Sequence, residues 1–412
     1  MSSIENESSV IRHAAIAAVP SSRAALSPRL LGTMAASAAL VSANLYYNQP
    51  LLADMARTFR VSAEQIGWVA MLTQTGCAAG VLFIVPLGDA TDRRRLVMIM
   101  CFLALAALVG VAASPNLAMI SAASFALGLA SIVPQLLLPY AAHLAPPEAR
   151  GRAVGIVLGG LLVGLLLGRT ISGYVGQQFG WRTMYWIATV VMLIIAVVLR
   201  ACLPRTDSRT DLSYGRLLLS LWHLLAEQPV LRETALVGAM LFGGFSAFWS
   251  TLIFRLESPP YHYGSRAAGL FGLVGIVGAL APSVFGRWAD RHDPRRLTRG
   301  SVALTLAAFA LFWIFGYQLW GLIVGIILLD LGVNGGSICC HTRNYRLLPN
   351  ATNRLATIYI TAFFIGGSIG TKLATYGWQH FGYSGVCTAG AVLLAIAAIT
   401  LLRPAPKPLP PG

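Results

Sequence analysis

The chain is a succession of apolar runs, each about as long as a lipid bilayer is thick. A helix needs roughly 20 apolar residues to cross the hydrocarbon core. Runs of that kind predict twelve crossing helices, at about 30–53, 66–86, 96–113, 117–141, 153–175, 183–203, 233–254, 267–286, 300–316, 319–341, 355–376 and 383–402. Only 11% of the residues are charged, against about 25% in a soluble domain. So little charge cannot cover a water-facing surface, and lipid must be the solvent for most of the chain. The expected fold class is an all-α membrane protein with twelve transmembrane helices.

The helices divide into two pseudo-symmetric six-helix halves. The longest connection, 204–232, is polar at first and amphipathic over Leu217–Leu225. It separates a first half at 30–203 from a second at 233–402, with an N-terminal segment at 1–29 and a Pro-rich tail at 403–412. A charged loop occurs in both halves: Pro86-Leu87-Gly88-Asp89-Ala90-Thr91-Asp92-Arg93-Arg94-Arg95, then Phe285-Gly286-Arg287-Trp288-Ala289-Asp290-Arg291-His292-Asp293-Pro294-Arg295-Arg296. Asp89 and Asp290 are 201 positions apart. Gly168 matches Gly370, and Phe179-Gly180 matches Phe381-Gly382, both at an offset of 202. A repeat of this size between apolar segments is the mark of a transporter built from two similar parts.

Arginine placement orients the chain. If the N-terminus is inside, the inner connections hold seventeen arginines and the outer ones five (Arg57, Arg60, Arg182, Arg255 and Arg266). The positive-inside rule then puts both termini in the cytoplasm of a multi-pass inner-membrane protein. Ala14–Val19 is too short for a signal-peptide core. The net charge of +15 is spread over short clusters rather than one face, which argues against nucleic acid. The six cysteines form no Cys-x-x-Cys pair, so neither a disulfide framework nor a metal site is expected. The nearest approach to a phosphate-binding loop, Gly366 to Lys372, fails because Lys372 follows Thr371 and not a glycine. ATP is therefore not the energy source. No cofactor and no enzymatic activity are expected. The expected partners are a small-molecule substrate, protons and the bilayer, with a monomer as working unit.

The paired loops resemble those of the major facilitator superfamily, whose loop reads roughly Gly-x-Leu-Ala-Asp-Arg-x-Gly-Arg-Arg. The second copy keeps Gly286, Ala289, Asp290, Arg291 and Arg295; the first keeps Leu87, Asp89, Arg93 and Arg94. Val85 replaces the leading glycine, and Asp92 and Asp293 replace the internal one. Three further stretches, Asn44–Pro50, Ala145–Arg152 and Gly168–Gly173, are similar to bacterial drug and metabolite exporters such as those for purine nucleosides and arabinose. The resemblance implies alternating access around a cavity lined by helices 1, 4, 7 and 10. It also implies a cytoplasmic gate built from Asp89, Arg93, Arg94, Asp290, Arg291 and Arg295. The alternative role for these charges is to fix topology alone. Helix 5 is rich in glycine, as in the antiporter branch, but lacks that motif's characteristic proline.

Asp330 is the one carboxylate expected in the middle of a span. It lies 11 residues, about 16 Å of helix, from the end of the predicted segment, too far for a short side chain to reach water. An ionisable residue there marks a functional site by default, often a proton relay; a protonated packing role is the alternative. Arg169 and Lys372 sit nearer the outer end, where long cations can snorkel. Arg169 is a candidate for substrate or Asp330, and Lys372 for anchoring at the interface. Asn44, Tyr47, Asn48, Gln49, Gln74, Gln135 and Asn334 are candidates for a polar cavity wall or for hydrogen bonds between helices. Phe245 and Trp249, with Phe242, Phe248 and Phe254, form an aromatic face suited to flat solutes or to packing. The expected function is export of a small organic solute coupled to proton entry at Asp330. The alternatives are uptake symport or facilitation in the same fold, and a membrane sensor that binds without transporting.

Overall fold

A computed structural model describes residues 27–204, 214–279, 281–348 and 351–406. Among these residues the regular structure is entirely helical. Among the described residues nine helices are long and apolar enough to cross a membrane. One of them, Thr352–Leu402, is two crossings joined at Gly382, whose φ of 61° breaks it. Two further crossings, the first and the eighth, are assembled from shorter helices, and they complete the twelve. The spans are α1 (Pro28–Ala43, continued by Leu52–Phe59), α2 (Ala63–Phe83), α3 (Arg93–Ala112), α4 (Leu117–Ala130 with Val133–Leu144), α5 (Arg150–Phe179) and α6 (Trp181–Cys202). In the second half they are α7 (Pro229–Glu257), α8 (Ser265–Val274, continued by Ile276–Ala279 and Ala281–Arg291), α9 (Pro294–Phe315), α10 (Leu319–Tyr345), α11 (352–381) and α12 (383–402).

Local chemistry sets the ends of these helices, and it sets them twice. Asp92 caps α3 by accepting from the Arg94 N–H, and Asp293 caps α9 by accepting from the Arg295 N–H, both at 3.0 Å. The two caps share nearly the same backbone, φ −60° and ψ 112° against φ −63° and ψ 113°. Aspartate satisfies an orphan helix N–H where the family's glycine cannot. These departures from the family loop are therefore helix starts. The hinge between α5 and α6 is Gly180, with φ 85°, and its repeat partner Gly382 is the hinge between α11 and α12. Positive φ at both places strains any residue with a Cβ.

Glycines also let helix pairs touch. On α5, Gly164 and Gly168 lie against Ala39 and Ala43 of α1; on α11, Gly366 and Gly370 lie against Ala239 and Gly243 of α7. Small residues allow backbones to approach where lipid gives no hydrophobic drive. The two pairs are the same packing unit, once per half. α7 is far more enclosed than α5, with 94% of its apolar stretch buried against 22%. The aromatic face of α7 therefore points into protein and not into lipid.

The first span differs from the continuous helix expected over 30–53. It leaves α geometry at Asn44. The amides of Asn44, Leu45 and Tyr46 bond three residues back rather than four, and a short 3₁₀ turn, Gln49–Leu51, follows. Pro50 has no N–H to give to an α ladder. Asn44 and Asn48 therefore do not sit on one α-helical face.

The two halves meet mainly away from the arginine-rich end. α2 runs beside α11, and α5 beside α8. A Cβ on Gly67 would meet Thr375, and one on Gly173 would meet Gly269. Towards the basic end these helices part: a Cβ at Gly151, Gly155 or Gly159 of α5 would find nothing within 4 Å. In the central connection, Tyr214–Glu227 is helical and buries Leu217 and Leu221. It packs with Leu231, Leu355 and Ile358, and with Leu82 of the other half. The expected polar stretch at 206–213 lies outside the described residues.

Candidate functional site

Two charged side chains come together at the centre, one from each half. Arg169 of α5 is 1% exposed and Asp330 of α10 is 3% exposed. The bend in α1 supplies the arginine's setting. The Arg169 Nε donates to Gln49 Oε1 at 2.6 Å. Its guanidinium carbon lies 4.8 Å from the Tyr46 ring centroid, 4.1 Å from that of Trp249 and 5.3 Å from that of Phe245. Aromatic faces of this kind stabilise a desolvated cation. The other two guanidinium nitrogens are buried and have no hydrogen-bond partner.

Asp330 is held close by glycine. A Cβ on Gly275 of α8 would lie 2.5 Å from its Oδ2, and one on Gly278 would lie 2.5 Å from its Cβ. Its Oδ1 is buried without a partner. Arg169 acts on the carboxyl through its charge, and the Trp249 indole N–H lies near it as a potential donor. Neither completes a bond to it: the Trp249 indole N–H has no acceptor, and the terminal nitrogens of Arg169 make no hydrogen bond to Asp330. Beside this centre, Gln49, Pro50, Arg169, Trp249, Leu252, Ile253 and Ala268 line a cleft too narrow for a water molecule.

The remaining polar candidates divide in two. Gln135 of α4 is half-buried with its Oε1 unpaired, and the Asn44 amide nitrogen is buried and unpaired. Asn334 turns back on α10, its Nδ2 donating to the Asp330 carbonyl at 2.9 Å. Asn48 donates to Thr73 at 3.1 Å within its own half. Tyr47 packs edge-on to Tyr185, ring centroids 6.4 Å apart, and so belongs to the core of the first half. Gln74 bridges the halves, donating to Thr371 and accepting from Ser246, both at 3.1 Å. It ties α2 to α11 and α7.

Further ties close the end opposite the arginine-rich loops. Thr75 meets Ser368 at 3.0 Å, and Thr170 donates to the Gly269 carbonyl at 3.0 Å. Lys372 pairs with Glu64 at 2.8 Å, with His380 3.5 Å from the same carboxylate. Lys372 thus has a partner in the other half, beyond the interface anchoring expected of it. Arg57 bridges Asp54 and Glu257, reaching Glu257 at 2.5 Å. Single-sequence reading gives no pointer to these pairs, because Glu64 and Glu257 look like ordinary helix-end charges.

At the basic end Leu82 packs across the halves, while the described arginine contacts stay within one half. Arg93 donates to the carbonyls of Gly88 and Pro139, and Arg94 to that of Arg200. Arg295 and Arg343 both grip Glu233, each at 2.7 Å, and all three side chains are about nine-tenths buried. Arg291 is exposed. The side chains of Asp89 and Asp290 lie outside the described residues. Glu233 was missed by the sequence reading. Its signal was a lone carboxylate at the start of a span among arginines.

A helical membrane protein whose halves close at one end around a buried charged centre has the architecture of a transporter. The chain belongs to the Major Facilitator Superfamily, whose profile matches residues 34–371 and 262–412. It is 41% identical over 377 residues to the "Uncharacterized transporter YgaY" of Escherichia coli O157:H7, covering 92% of this chain and 95% of that one. It is 24% identical to a "Probable sugar efflux transporter" of Mannheimia succiniciproducens, covering 85% of this chain and 87% of that one. In fold it is similar to the crystal structure of a bacterial homolog of the human lysosomal transporter Spinster in an inward-facing, unoccupied conformation. That match has a TM-score of 0.73 at 14% identity and covers 90% of this chain and 95% of the other.

Proposed function

We propose that this protein exports a small organic solute across the inner membrane by alternating access, driven by proton entry. The observation that carries the reading is Asp330, a buried carboxylate in mid-span with one oxygen free, facing Arg169 of the other half. A carboxyl group there can take a proton from one side and release it to the other as the halves rock. Among the described residues the charged group acting on it is Arg169. The helices packed on it contribute Trp249 from α7 and glycines from α8.

The positive-inside rule makes the arginine-rich end cytoplasmic, with both termini there. The closed end is then the outside, and the structure faces inward. Asp89, Arg93, Arg94, Asp290, Arg291 and Arg295 act as the gate of the opposite state, engaging across the halves when the cytoplasmic end closes. Arg94 and Arg295 hold their partners within their own halves, as gate residues would at an open end. One chain carries both halves of the site, so a monomer suffices.

Flux in proteoliposomes under an imposed pH gradient tests the reading. Efflux of the solute should follow inward proton flow, and Asp330→Asn should lose that dependence. Flux indifferent to the gradient removes proton coupling. A normal pH profile in Asp330→Asn removes Asp330 as its site. Uptake symport is the second reading, since Arg169 could hold an anion while Asp330 holds a proton. It requires solute to move with the proton gradient. Ligand binding without flux would instead fit a sensor.

A further inference from the structure

We infer that the substrate is a small zwitterion of the amino-acid type, its carboxylate on Arg169 and its ammonium on Asp330. The inference rests on the antiport reading and names its substrate class. Three observations lead to it. First, Arg169 is held on every side but one. Gln49 takes its Nε, and Tyr46, Trp249 and Phe245 surround its plane. The edge left over is the pair of terminal nitrogens, both buried and without partners. That edge is the fork that binds a carboxylate with two parallel hydrogen bonds.

Second, Asp330 offers the opposite end of the same dipole. Its Oδ1 is buried and unpaired. Third, the two charges do not satisfy each other. Arg169 and Asp330 sense one another electrostatically, yet no hydrogen bond closes between them. Two buried charges that leave each other unpaired each need a partner, and a molecule with separated charges supplies both once the narrow cleft at Arg169 opens. A neutral solute would leave both charges uncompensated, and a simple ion would leave one. The rings of Phe245 and Trp249 flank Arg169, and Phe245 stacks with Phe242 and through it with Phe363 of α11. They favour an apolar or flat side chain on the zwitterion.

The arrangement makes substrate and proton exclusive. An ammonium group binds Asp330 only when the carboxylate is charged. A proton on Asp330 removes that partner and ejects the zwitterion. Arg169, from α5, is the charged group facing Asp330, while α7 contributes Trp249 and α8 contributes glycine. Exclusive binding at one site is the condition for exchange rather than co-transport.

The test is binding to the purified full-length protein. The twenty L-amino acids are screened by thermal shift, and hits are measured by calorimetry alongside their N-acetyl and methyl-ester derivatives and arabinose. At least one amino acid should bind, and each single-charge derivative should be about tenfold weaker or worse. Arg169→Gln should weaken the N-acetyl derivative and spare the ester; Asp330→Asn should do the reverse. This crossed pattern cannot come from loss of folding. If no amino acid binds, if a single-charge derivative equals its parent, or if arabinose binds alone, the inference is overturned. Should amino acids bind while flux ignores the pH gradient, the coupling reading falls and this one stands. Should a pH gradient drive another solute while all twenty fail, this one falls and coupling stands.

Discussion

Gly269→Ala should tip the protein out of the state described here. Gly269 sits where α8 crosses α5 at the closed end. A Cβ there would lie 2.7 Å from the Arg169 carbonyl, 3.1 Å from the Gly173 Cα and 3.2 Å from the Thr170 carbonyl. These are backbone atoms, so no side chain can rotate away. Ordinary carbon contacts begin near about 3.5 Å, so the helices must part by roughly 0.8 Å. Overpacking of this kind costs about 1–3 kcal/mol. The cost falls on the state in which α5 and α8 touch and is absent once they separate. The balance between access states should therefore shift by about 5- to 150-fold. Spin labels at the exposed positions Gln178 and His262 report the closed end, and labels at Arg152 and Arg296 the basic end. In Gly269→Ala the first pair should gain a longer distance and the second a shorter one. Gly159→Ala, with nothing within 4 Å of the added Cβ, should leave both distributions alone. A folded Gly269→Ala protein with unchanged distances at both ends would refute the argument.

Three further outcomes follow from the same geometry. Glu233→Gln leaves Arg295 and Arg343 buried without their countercharge, so it should destabilise the detergent-purified protein by about 3–5 kcal/mol; an unshifted melting temperature would contradict this. Gly180→Ala and Gly382→Ala each force a Cβ onto a positive φ and should cost about 1–3 kcal/mol, read by the same melting assay. Cys202 is the exposed thiol among six free cysteines, so maleimide should modify it first in the folded protein, and Cys202→Ser should remove the fast phase.

The helices, their number and the repeat were legible because each rests on a local rule. Bilayer thickness fixes the length of an apolar run, and Gly180 and Gly382 mark hinges because few residues tolerate their backbone. Asp92 and Asp293 were visible as departures from the family loop, but their capping role needed the coordinates. The bend at Asn44 was hidden because the apolar run on either side is long enough for one crossing, so the polar residues and Pro50 read as the wall of a continuous helix. Asp330 could be singled out because a carboxylate in mid-span has no cheap explanation. Arg169 could be offered as its partner and Trp249 as a cavity residue, but the Gln49 and Tyr46 setting of Arg169 depends on the bend in α1. Glu233, Glu64 and Glu257 were missed because each gains meaning from a partner 62 to 308 positions away.

The central claim is that Asp330 carries the coupling proton, and a charge-displacement recording tests it without knowledge of the solute. Proteoliposomes are adsorbed on a capacitive electrode and given a rapid pH jump. The wild type should produce a transient current as protons enter the buried site, and Asp330→Asn should produce none, while Glu233→Gln, if folded, keeps it. Equal transients from the wild type and Asp330→Asn would contradict the account.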